Sequence, residues 1–338
     1  MREGRPNAGV RPRVAVVGAG VSGLACARAL SFLCDVVLYD KSRGVGGRMS
    51  TRYAGDYEFD HGAQFFTVRE ASFAKLVDTA VAEGVVGRWQ GRFLYLSDES
   101  VTADTGGERF VGVPRMNSFP KWLAAPLRVE TGCRVAAIRP GDRLQLEFED
   151  DGMEAGFDAV VVAVPAPQAV ELLPHGFAQR DRVASAEMEP CFTLMVGLEE
   201  RPHPDMRPDM ATLRAKGLPV DWIALNSSKP GRPARPATLV IQAEAGWSRA
   251  CVDAPRETVA RELGEVASAL LGLPLHAAPH RVLHRWLYSS VARGANAPFL
   301  WDADMKIGVC GDWCEGGRVE GAWTSGHRLG ETLERELV

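Results

Sequence analysis

A glycine-rich turn between a buried strand and a helix constrains the fold of this chain more than any other feature. The apolar run from Val14 to Val17 is typical of a strand buried on both faces, and a helical pattern follows it from Val21 to Leu33. A second apolar run ends at Asp40, 20 residues after Gly20. The first strand and the helix are joined by a G-x-G-x-x-G motif, whose glycines are Gly18, Gly20 and Gly23. This βαβ unit predicts a parallel α/β sheet of the Rossmann type that binds a dinucleotide, with Asp40 accepting the ribose hydroxyls.

The composition is that of a folded globular protein. Of the 338 residues, 46% are hydrophobic and 24% are charged, which argues against disorder, coiled coil and collagen. With 39 Lys and Arg against 43 Asp and Glu, the formal charge of -4 offers no attraction for a nucleic acid. We therefore expect no nucleic-acid partner.

Cysteine usage and the lack of long apolar stretches indicate the compartment. The seven cysteines contain no Cys-x-x-Cys pair, as is typical of reduced thiols in a cytosol. No uncharged apolar stretch reaches the roughly 18 to 20 residues of a membrane helix. Residues 1–12 lack the apolar region of a signal peptide and are interpreted as a short disordered leader. We therefore expect a cytoplasmic protein without a membrane partner.

The residues after Asp40 favour FAD over NAD, although the glycine motif serves both cofactors. An NAD dehydrogenase would begin its next helix here, whereas this chain continues with glycines and basic residues. Glycines let the backbone approach a ligand, and an arginine can bind a pyrophosphate through two hydrogen bonds. The candidate cofactor ligands in this segment are Lys41, Arg43, Gly47 and Arg48. Gly311 and Asp312, between a short apolar strand and a helix, suit a second cofactor clamp.

Downstream, the periodicity predicts a mixture of helices and strands. Helices are expected over residues 70–83, 117–127, 255–271 and 319–337, and strands over 92–96, 134–139, 144–149, 159–164, 238–243 and 307–310. The Asp150-Asp151-Gly152 turn predicts a hairpin. Seven prolines between residues 202 and 236 predict that this stretch is mostly loop. Its arginines could hold the phosphate of an NADP-type substrate, but solvation is the simpler interpretation of Arg207, Arg214, Arg232 and Arg235.

Four segments of the chain resemble renalases and their bacterial relatives, within the flavin amine-oxidase superfamily. They cover residues 40–50, 60–67, 284–288 and 310–323, and the last two are the most specific. The resemblance runs from about Val14 to Leu333. It implies an α/β fold in which an FAD-binding Rossmann-type domain, like that of p-hydroxybenzoate hydroxylase, adjoins a second, mixed-sheet α+β substrate domain. The FAD-binding domain would comprise residues 13–76, 112–170 and 300–338, and the substrate domain residues 77–111 and 171–299, with the flavin ring between them.

The same resemblance implies a role for each candidate cofactor residue. Gly18, Gly20, Gly23 and Asp40 would bind the ADP moiety and Arg48 the pyrophosphate. Along the isoalloxazine would lie Gly62, Ala63 and Gln64. Val135 would meet the adenine through its backbone, and Asp312 the ribityl or phosphate side. Backbone amides near Val319 and Glu320, at a helix N-terminus, would face the flavin atoms N1 and O2, where negative charge develops on reduction. Residues 289–305 contain no cysteine that could tether a flavin, so we expect noncovalent FAD.

The activity implied by the resemblance is oxidation of misreduced nicotinamide. Renalases are understood to oxidise 1,2- and 1,6-dihydro isomers of NAD(P) to NAD(P)+ by hydride transfer to FAD, with O2 as the acceptor that yields H2O2. No residue must remove a proton, because loss of hydride alone makes the ring aromatic. The expected substrate wall comprises Gln64, His284, Trp286, Tyr288 and Trp313, with His284 donating to the carboxamide. Trp286 and Tyr288 alternate on a strand and fit a core role equally well.

Two other functions remain open from the residues. The first is an amine or polyamine oxidase, which would need an aromatic cage around the substrate nitrogen and a lysine near the flavin. The chain has only five tyrosines for such a cage, and the one lysine near a C-terminal motif is Lys306. A flavoprotein without redox turnover is the second. A metal site is not expected, because His280 and His284 are four residues apart on a strand without a third ligand nearby. Cys310 and Cys314 are interpreted as packing residues, and the oligomeric state is left open.

Overall fold

A computed structural model describes residues 11–97, 100–199 and 210–338, so most of the expected leader lies outside the described residues. The helices within these residues are α1 (Val21–Leu30), α2 (Ala71–Ala82), α3 (Ser118–Ala124), α4 (Ala166–Leu172), α5 (Arg180–Ala184), α6 (Ala245–Ala250), α7 (Arg256–Leu271) and α8 (Val319–Leu337). The strands are β1 (Arg13–Val17), β2 (Asp35–Asp40), β3 (Arg52–Ala54), β4 (Tyr57–Phe59), β5 (Val86–Arg88), β6 (Arg92–Ser97), β7 (Ser100–Ala103), β8 (Phe110–Gly112), β9 (Arg128–Thr131), β10 (Val135–Arg139), β11 (Leu144–Phe148), β12 (Met153–Phe157), β13 (Ala159–Val162), β14 (Glu187–Leu198), β15 (Met210–Ala215), β16 (Val220–Leu225), β17 (Ala237–Ala243), β18 (His280–Arg293), β19 (Leu300–Asp302) and β20 (Ile307–Val309).

The N-terminal βαβ unit forms the centre of a parallel sheet with the strand order β19-β20-β13-β1-β2-β9. Only the edge strand β19 runs antiparallel to its neighbour. Val14 and Val16 pack against α1 and α8, while Ala15 and Val17 pack against the antiparallel sheet β10-β11-β12. Because both faces are covered, the strand needs a continuous apolar run rather than an alternating one. The predicted Rossmann-type sheet is confirmed, as is the hairpin at Asp150-Asp151-Gly152.

Helices α1 and α8 pack at a distance that only glycine permits. A Cβ on Gly326 would overlap the backbone oxygen of Ser22, and one on Gly330 would lie 2.6 Å from the Cβ of Ala29. This close approach brings the N-termini of α1 and α8 to the same edge of the sheet. Both helix dipoles therefore point their positive ends toward one region.

A second, seven-stranded sheet has the order β18-β14-β17-β16-β15-β6-β7 among the described residues. Its pairs are antiparallel except for β15 with β6. One face packs against α7, whose Val259, Leu263 and Ala267 contact the sheet core. The other face looks toward the carboxyl ends of the parallel strands.

The prediction that residues 202–236 are mostly loop was wrong for the part that the structure describes. Strands β15 and β16 occupy 12 of these residues and lie inside the seven-stranded sheet. Neither strand contains proline: Pro219 precedes β16, and Pro230, Pro233 and Pro236 separate β16 from β17. Proline counts over a long window therefore missed two short strands between the prolines. Pro202, Pro204, Pro208 and Arg207 lie outside the described residues.

The helices and strands expected elsewhere are present, with ends shifted by up to three residues. The strands of the parallel sheet come from residues 13–40, 128–131, 159–162 and 300–309, and those of the seven-stranded sheet from 92–103, 187–243 and 280–293. The proposed domain boundaries stay a prediction. In the described parts of the chain, no helix is long and apolar enough to span a bilayer.

Candidate active site

A cavity of about 1760 Å³ opens between the two large sheets, at the carboxyl ends of β1, β2, β13 and β20. This is where the chain leaves β1 between two parallel neighbours, the usual ligand position in such sheets. The volume exceeds the upper range of about 1000 Å³ for common ligand pockets, which leaves room for a cofactor and a second ligand. The sequence-predicted residues that line it are Gly18, Gly20, Asp40, Lys41, Arg43, Gly47, Arg48, Gly62, Ala63, Gln64, Val135, His284, Trp286, Tyr288, Gly311, Asp312, Trp313 and Val319. Gly23 and Glu320 are not among the described lining residues.

The glycine turn has the geometry that a bound pyrophosphate requires. Gly18 has φ +106°, and a Cβ there would lie 2.6 Å from the backbone oxygen of Ala163. Gly23 meets the backbone of Gly18, whereas a Cβ on Gly20 would point into open space within the cavity. Asp40 accepts hydrogen bonds from the backbone N–H groups of Ala19 and Ser42, both at 2.7 Å. The turn is thus held from two sides and open toward a ligand, which fits the ADP moiety of a dinucleotide.

A bidentate ion pair joins the first and last segments of the cavity wall. Arg48 donates from Nη1 and Nη2 to the two oxygens of Asp312, at 2.9 and 2.6 Å, and from Nη1 to the backbone oxygen of Ser289 at 3.1 Å. The side chain of Asp312 is only 7% exposed, so its charge is compensated mainly by this arginine. Arg48 was expected to bind the pyrophosphate and Asp312 the ribityl side. The pair brings the two residues together at one point of the cavity wall, and their roles toward a cofactor stay predictions.

The N-terminus of α8 lies in the wall of the cavity. Arg318, immediately before the helix, has φ +74° and lines the cavity together with Val319. Glu320 is buried, and its carboxylate accepts from the backbone N–H groups of Arg69 and Glu70, at 2.7 and 2.8 Å, where α2 begins. The side chain of Glu320 therefore fixes α2 to α8, and any role toward a ligand is left to the backbone.

Gln64 is held by a buried charge network that sequence reasoning missed. The ammonium of Lys229, fully buried, lies 3.1 Å from Oε1 of Gln64, 3.0 Å from Oδ1 of Asn226 and 3.4 Å from Oδ2 of Asp60. Arg232 donates to Asp60 at 2.6 Å and is also buried. The expectation that Arg232 is solvated was therefore wrong. Asp60 stood in a recognised motif, but its counter-ions are 169 and 172 residues away, so no local signal marked them.

The charged groups of this network shift each other's pKa values. Burial alone would raise the pKa of Asp60, but the cations of Lys229 and Arg232 outweigh it and hold that pKa at about 2. Burial lowers the pKa of Lys229 to about 8. The amide nitrogen of Gln64 donates to the backbone oxygens of Asp60 and Gly62, at 2.5 and 3.0 Å. Both polar ends of Gln64 are thus committed to the protein, and the residue positions the segment that was expected to run along the flavin.

A cluster of two imidazoles and an indole forms the opposite wall. The ring centres of His61 and His284 are 4.9 Å apart, and Trp286 lies 4.9 Å from His61 and 4.4 Å from His284. Trp286 also donates from its indole nitrogen to the backbone oxygen of His61 at 3.0 Å. The sequence motif contained His61 but assigned it no role. We call these three residues the imidazole cluster.

Both histidines of the imidazole cluster are neutral at neutral pH. Burial lowers the pKa of His61 to about 4, with His284 and Arg52 adding repulsion. Burial, with Arg52 and Arg256, lowers the pKa of His284 to about 4 as well. The Nδ1 atom of His61 is buried without a hydrogen-bond partner among the described residues. The cluster therefore offers uncharged donors and acceptors.

The other two expected wall residues differ in exposure. Tyr288 is partly buried on β18 and lines the cavity. Trp313 has no exposed surface, and its indole nitrogen donates to the backbone oxygen of Val164 at 3.0 Å. The polar group of Trp313 therefore belongs to the packing beneath Gly311. Within the described residues, no group of three potential metal ligands is found.

Comparison with known proteins identifies the family. Residues 94–329, more than half of the chain, match the family model described as flavin containing amine oxidoreductase. The chain belongs to this family. Residues 16–79 match the model of the NAD(P)-binding Rossmann-like domain. The chain is 29% identical to renalase from Mus musculus over 174 residues. The match covers 47% of this chain and 49% of that protein, so the chain spans about half the length of the curated relative. The resemblance to renalases is confirmed.

Solved structures show how widely the fold of this flavin oxidoreductase is used. Putrescine oxidase bound to putrescine has a TM-score of 0.72 at 13% identity, covering 96% of this chain and 99% of that one. Reduced UDP-galactopyranose mutase has a TM-score of 0.76 at 11% identity, covering 95% of both chains. At such identities the likeness concerns the fold alone. This likeness confirms the α/β fold class. Membership of the flavin-containing family confirms the FAD cofactor, and the protein is an FAD-dependent oxidoreductase.

Proposed function

We propose that the protein oxidises 1,2- and 1,6-dihydro isomers of NAD(P) to NAD(P)+, with O2 as the final acceptor and H2O2 as the product. The observation that carries the proposal is the neutral imidazole cluster in the cavity wall, next to the segment 62–64. Bound FAD supplies a hydride acceptor. The chain then has to bind and orient a ring that loses a hydride and no proton.

The imidazole cluster suits a substrate whose ring becomes positively charged. A neutral imidazole can donate to or accept from a carboxamide, and it does not repel the pyridinium that forms. The low pKa values of His61 and His284, both about 4, keep that state at neutral pH. We propose that His284 donates to the carboxamide, with Trp286 and Tyr288 against the ring.

Oxidation of an amine is the second candidate, because the structure supplies a lysine that sequence reasoning did not find. Lys229 contacts Gln64, which lines the cavity. Its ammonium, however, has three donors and already three acceptors in Asp60, Gln64 and Asn226. Lys229 therefore has no donor left for a water or a flavin atom, which favours the dihydronicotinamide substrate.

Anaerobic stopped-flow absorbance at the flavin band tests the choice. The holoenzyme is mixed separately with 1,2-dihydro-NAD, 1,6-dihydro-NAD, ordinary NADH and a polyamine. We expect rapid bleaching by the dihydro isomers and slow or no bleaching by the other two. Rapid bleaching by the polyamine alone would overturn the proposal in favour of amine oxidation. The cytoplasmic location and O2 as the physiological acceptor stay predictions.

A further inference from the structure

One row of side chains crosses the seven-stranded sheet from the imidazole cluster to a second cavity. Directly opposite residues on neighbouring strands pair in register and place their side chains on the same face of a sheet. Following the register from β18 through β14, β17, β16 and β15 to β6, the row consists of His284, Thr193, Gln242, Trp222, Arg214 and Tyr95. We call it the cross-strand row.

The cross-strand row faces the active-site cavity. The residues next to it along the strands, such as Leu194, Ile241 and Leu213, belong to the core that packs against α7 on the other face. Successive side chains of a strand alternate between faces, so the row must point away from α7. His284, Gln242, Trp222 and Arg214 line the active-site cavity.

A second cavity of about 1060 Å³ continues from the far end of the row. Tyr95 and Arg214 line it, together with Lys216 and Asp221. Asp104, Arg214 and Asp221 line both cavities, so the two meet at Arg214. Between this junction and the imidazole cluster, the rings of Phe65 and Trp222 lie 5.6 Å apart in the wall.

The spacing of the row matches the length of a dinucleotide. Neighbouring strands are about 4.8 Å apart, so Arg214 lies about 10 Å from Gln242 and about 19 Å from His284 across the sheet. Gln242 donates to the backbone oxygen of Gly62 at 2.8 Å, which places it beside the segment expected along the flavin. The distance from Gln242 to Arg214 is similar to the distance between the nicotinamide ring and the pyrophosphate of an extended dinucleotide.

Arg214, which lines both cavities, has only a loose ionic partner. Its side chain is 53% exposed, and its Nε lies 3.5 Å from Asp221, whose pKa is raised by burial. The other carboxylates near it are held elsewhere. Asp104 pairs with Arg109 at 2.7 Å, and Glu244 caps α6 by accepting from the backbone N–H of Trp247 at 2.7 Å. A pyrophosphate can therefore compete with Asp221 for the guanidinium of Arg214.

We propose that the ADP half of the dinucleotide substrate lies along the cross-strand row, with its pyrophosphate on Arg214 and its adenine beside Tyr95 in the second cavity. This assignment rests on the proposed function for the identity of the substrate. It makes Arg214 and Tyr95 binding residues that select dinucleotides over mononucleotides. The aromatic rings of Phe65 and Trp222 then flank the ribose that joins the nicotinamide to the pyrophosphate.

The experiment is calorimetric titration of FAD-saturated holoenzyme with ADP-ribose, which carries the ADP half and no nicotinamide. Arg214→Gln is expected to weaken ADP-ribose binding about tenfold, because one charge-assisted contact to phosphate is lost. Asp221→Asn, which releases Arg214 from its partner, should leave binding unchanged or tighten it. The matched control is Arg261→Gln on α7, an arginine 65% exposed with a carboxylate at 3.9 Å on the opposite face of the sheet.

Two measurements separate this subsite from the proposed function. If wild-type holoenzyme does not bind ADP-ribose, or if Arg261→Gln weakens binding as much as Arg214→Gln, the subsite is overturned. Equal apparent affinities for dihydro-NAD and the dihydro mononucleotide in flavin reduction would overturn it too, while the proposed function stands. Arg214-dependent ADP-ribose binding without flavin reduction by any dihydronicotinamide would support the subsite and overturn the function. Polyamine binding that Asp221→Asn abolishes, with no ADP-ribose binding, would assign the junction to a cation.

Discussion

Asp60 shows how a single buried charge organises one wall of the cavity. Its side chain is 1% exposed, and one oxygen accepts from Lys229 and Arg232 while the other accepts from Thr51 and the backbone of Met116. Isolated charges at such depth are strongly unfavourable, so the three ions persist only together. Through Lys229 the network also holds Gln64, and with it the segment 62–64 of the cavity wall.

Removing the charge of Asp60 should destabilise the protein strongly. Asp60→Asn keeps the size of the side chain but leaves Lys229 and Arg232 buried without their anion, so we expect a loss of about 3 to 5 kcal/mol in the free energy of unfolding. Urea denaturation followed by circular dichroism measures it. The control is Glu147→Gln, which breaks the exposed bidentate pair with Arg139 and should change stability far less than Asp60→Asn, because solvent screens that pair. Equal effects of the two variants would contradict the role of burial.

The imidazole cluster predicts the pH dependence of flavin reduction. His61 and His284 have pKa values of about 4, below their ordinary 6.5, so they stay neutral from about pH 6 upward. We expect the rate constant of reduction by a dihydro isomer to be flat between about pH 6 and 7.5 and to fall below about pH 5, as imidazolium repels the forming pyridinium. Stopped-flow measurements over this range check it, with His284→Gln expected to weaken the acid limb. A rate that rises steadily with pH would instead indicate deprotonation of an amine.

The same two histidines couple protonation to folding. Their folded pKa values are lowered, so the unfolded chain binds more protons between about pH 6.5 and 4. Stability therefore falls as the pH drops through this window. The acid sensitivity of the fold and that of the reaction have one origin, the burial of neutral imidazoles beside the cavity.

At the scale of elements, the contact of α1 with α8 positions both helix N-termini at the cavity. Gly326 on α8 lies against the backbone of Ser22, within the glycine-motif turn of α1. The usual distance between the axes of two packed helices is about 8 to 10 Å, and larger residues at the contact would push α1 and α8 toward that distance. The glycine therefore sets the position of the N–H groups at the start of α1 relative to Asp312 in the cavity wall.

Gly326→Ala should separate the two helices. The added methyl group would overlap backbone rather than a flexible side chain, so we expect a destabilisation of about 3 kcal/mol or more and loss of FAD retention. Gly321→Ala, in the same helix, would meet only the backbone oxygen of Asp312 at 4.0 Å and should be neutral or stabilising by up to about 1 kcal/mol. Thermal unfolding of both variants, each with and without added FAD, tests the contrast. Similar melting temperatures would show that α1 and α8 can move apart without a loss of stability.

At the scale of the whole molecule, the cofactor cavity joins parts of the chain that are far apart in sequence. Arg48 and Asp312 are 264 residues apart and meet in its wall. We expect FAD to bind there and to stabilise the folded state over the unfolded state by mass action. We therefore expect retention of the cofactor to depend on the parts of the chain that build this wall.

The Arg48–Asp312 pair should be required for tight FAD binding. Asp312→Asn removes the charge that neutralises Arg48, and we expect the dissociation constant of FAD to rise about tenfold, which corresponds to about 1.4 kcal/mol. Flavin fluorescence on dilution of the holoenzyme measures the release. Glu147→Gln again serves as the control, because it breaks a bidentate pair that lies away from the cavity. Unchanged retention in Asp312→Asn would show that the pair only supports the fold.

The cofactor is expected to be held without a covalent bond. Residues 289–305 contain no cysteine, so acid precipitation should release all flavin into the supernatant and leave protein with the mass calculated from its sequence. Mass spectrometry of the precipitate checks this, and added FAD should raise the melting temperature of the stripped protein. A protein mass increased by that of FAD would refute the prediction.

The sequence by itself determined the elements whose signals are local. The glycine turn with Asp40, the helices α7 and α8 and the strands β1, β2, β13 and β20 follow from periodicity and motif spacing, because neighbours along the chain carry those patterns. The edge strands β9 and β19 of the same sheet were not predicted. The tertiary structure alone decided the partners of Asp60, the imidazole cluster and the cross-strand row. Strands β15 and β16 also emerged only there, between prolines that suggested loop. These features depend on which strands pair and in which register, and that choice is made by the packing of the whole core rather than by any short segment.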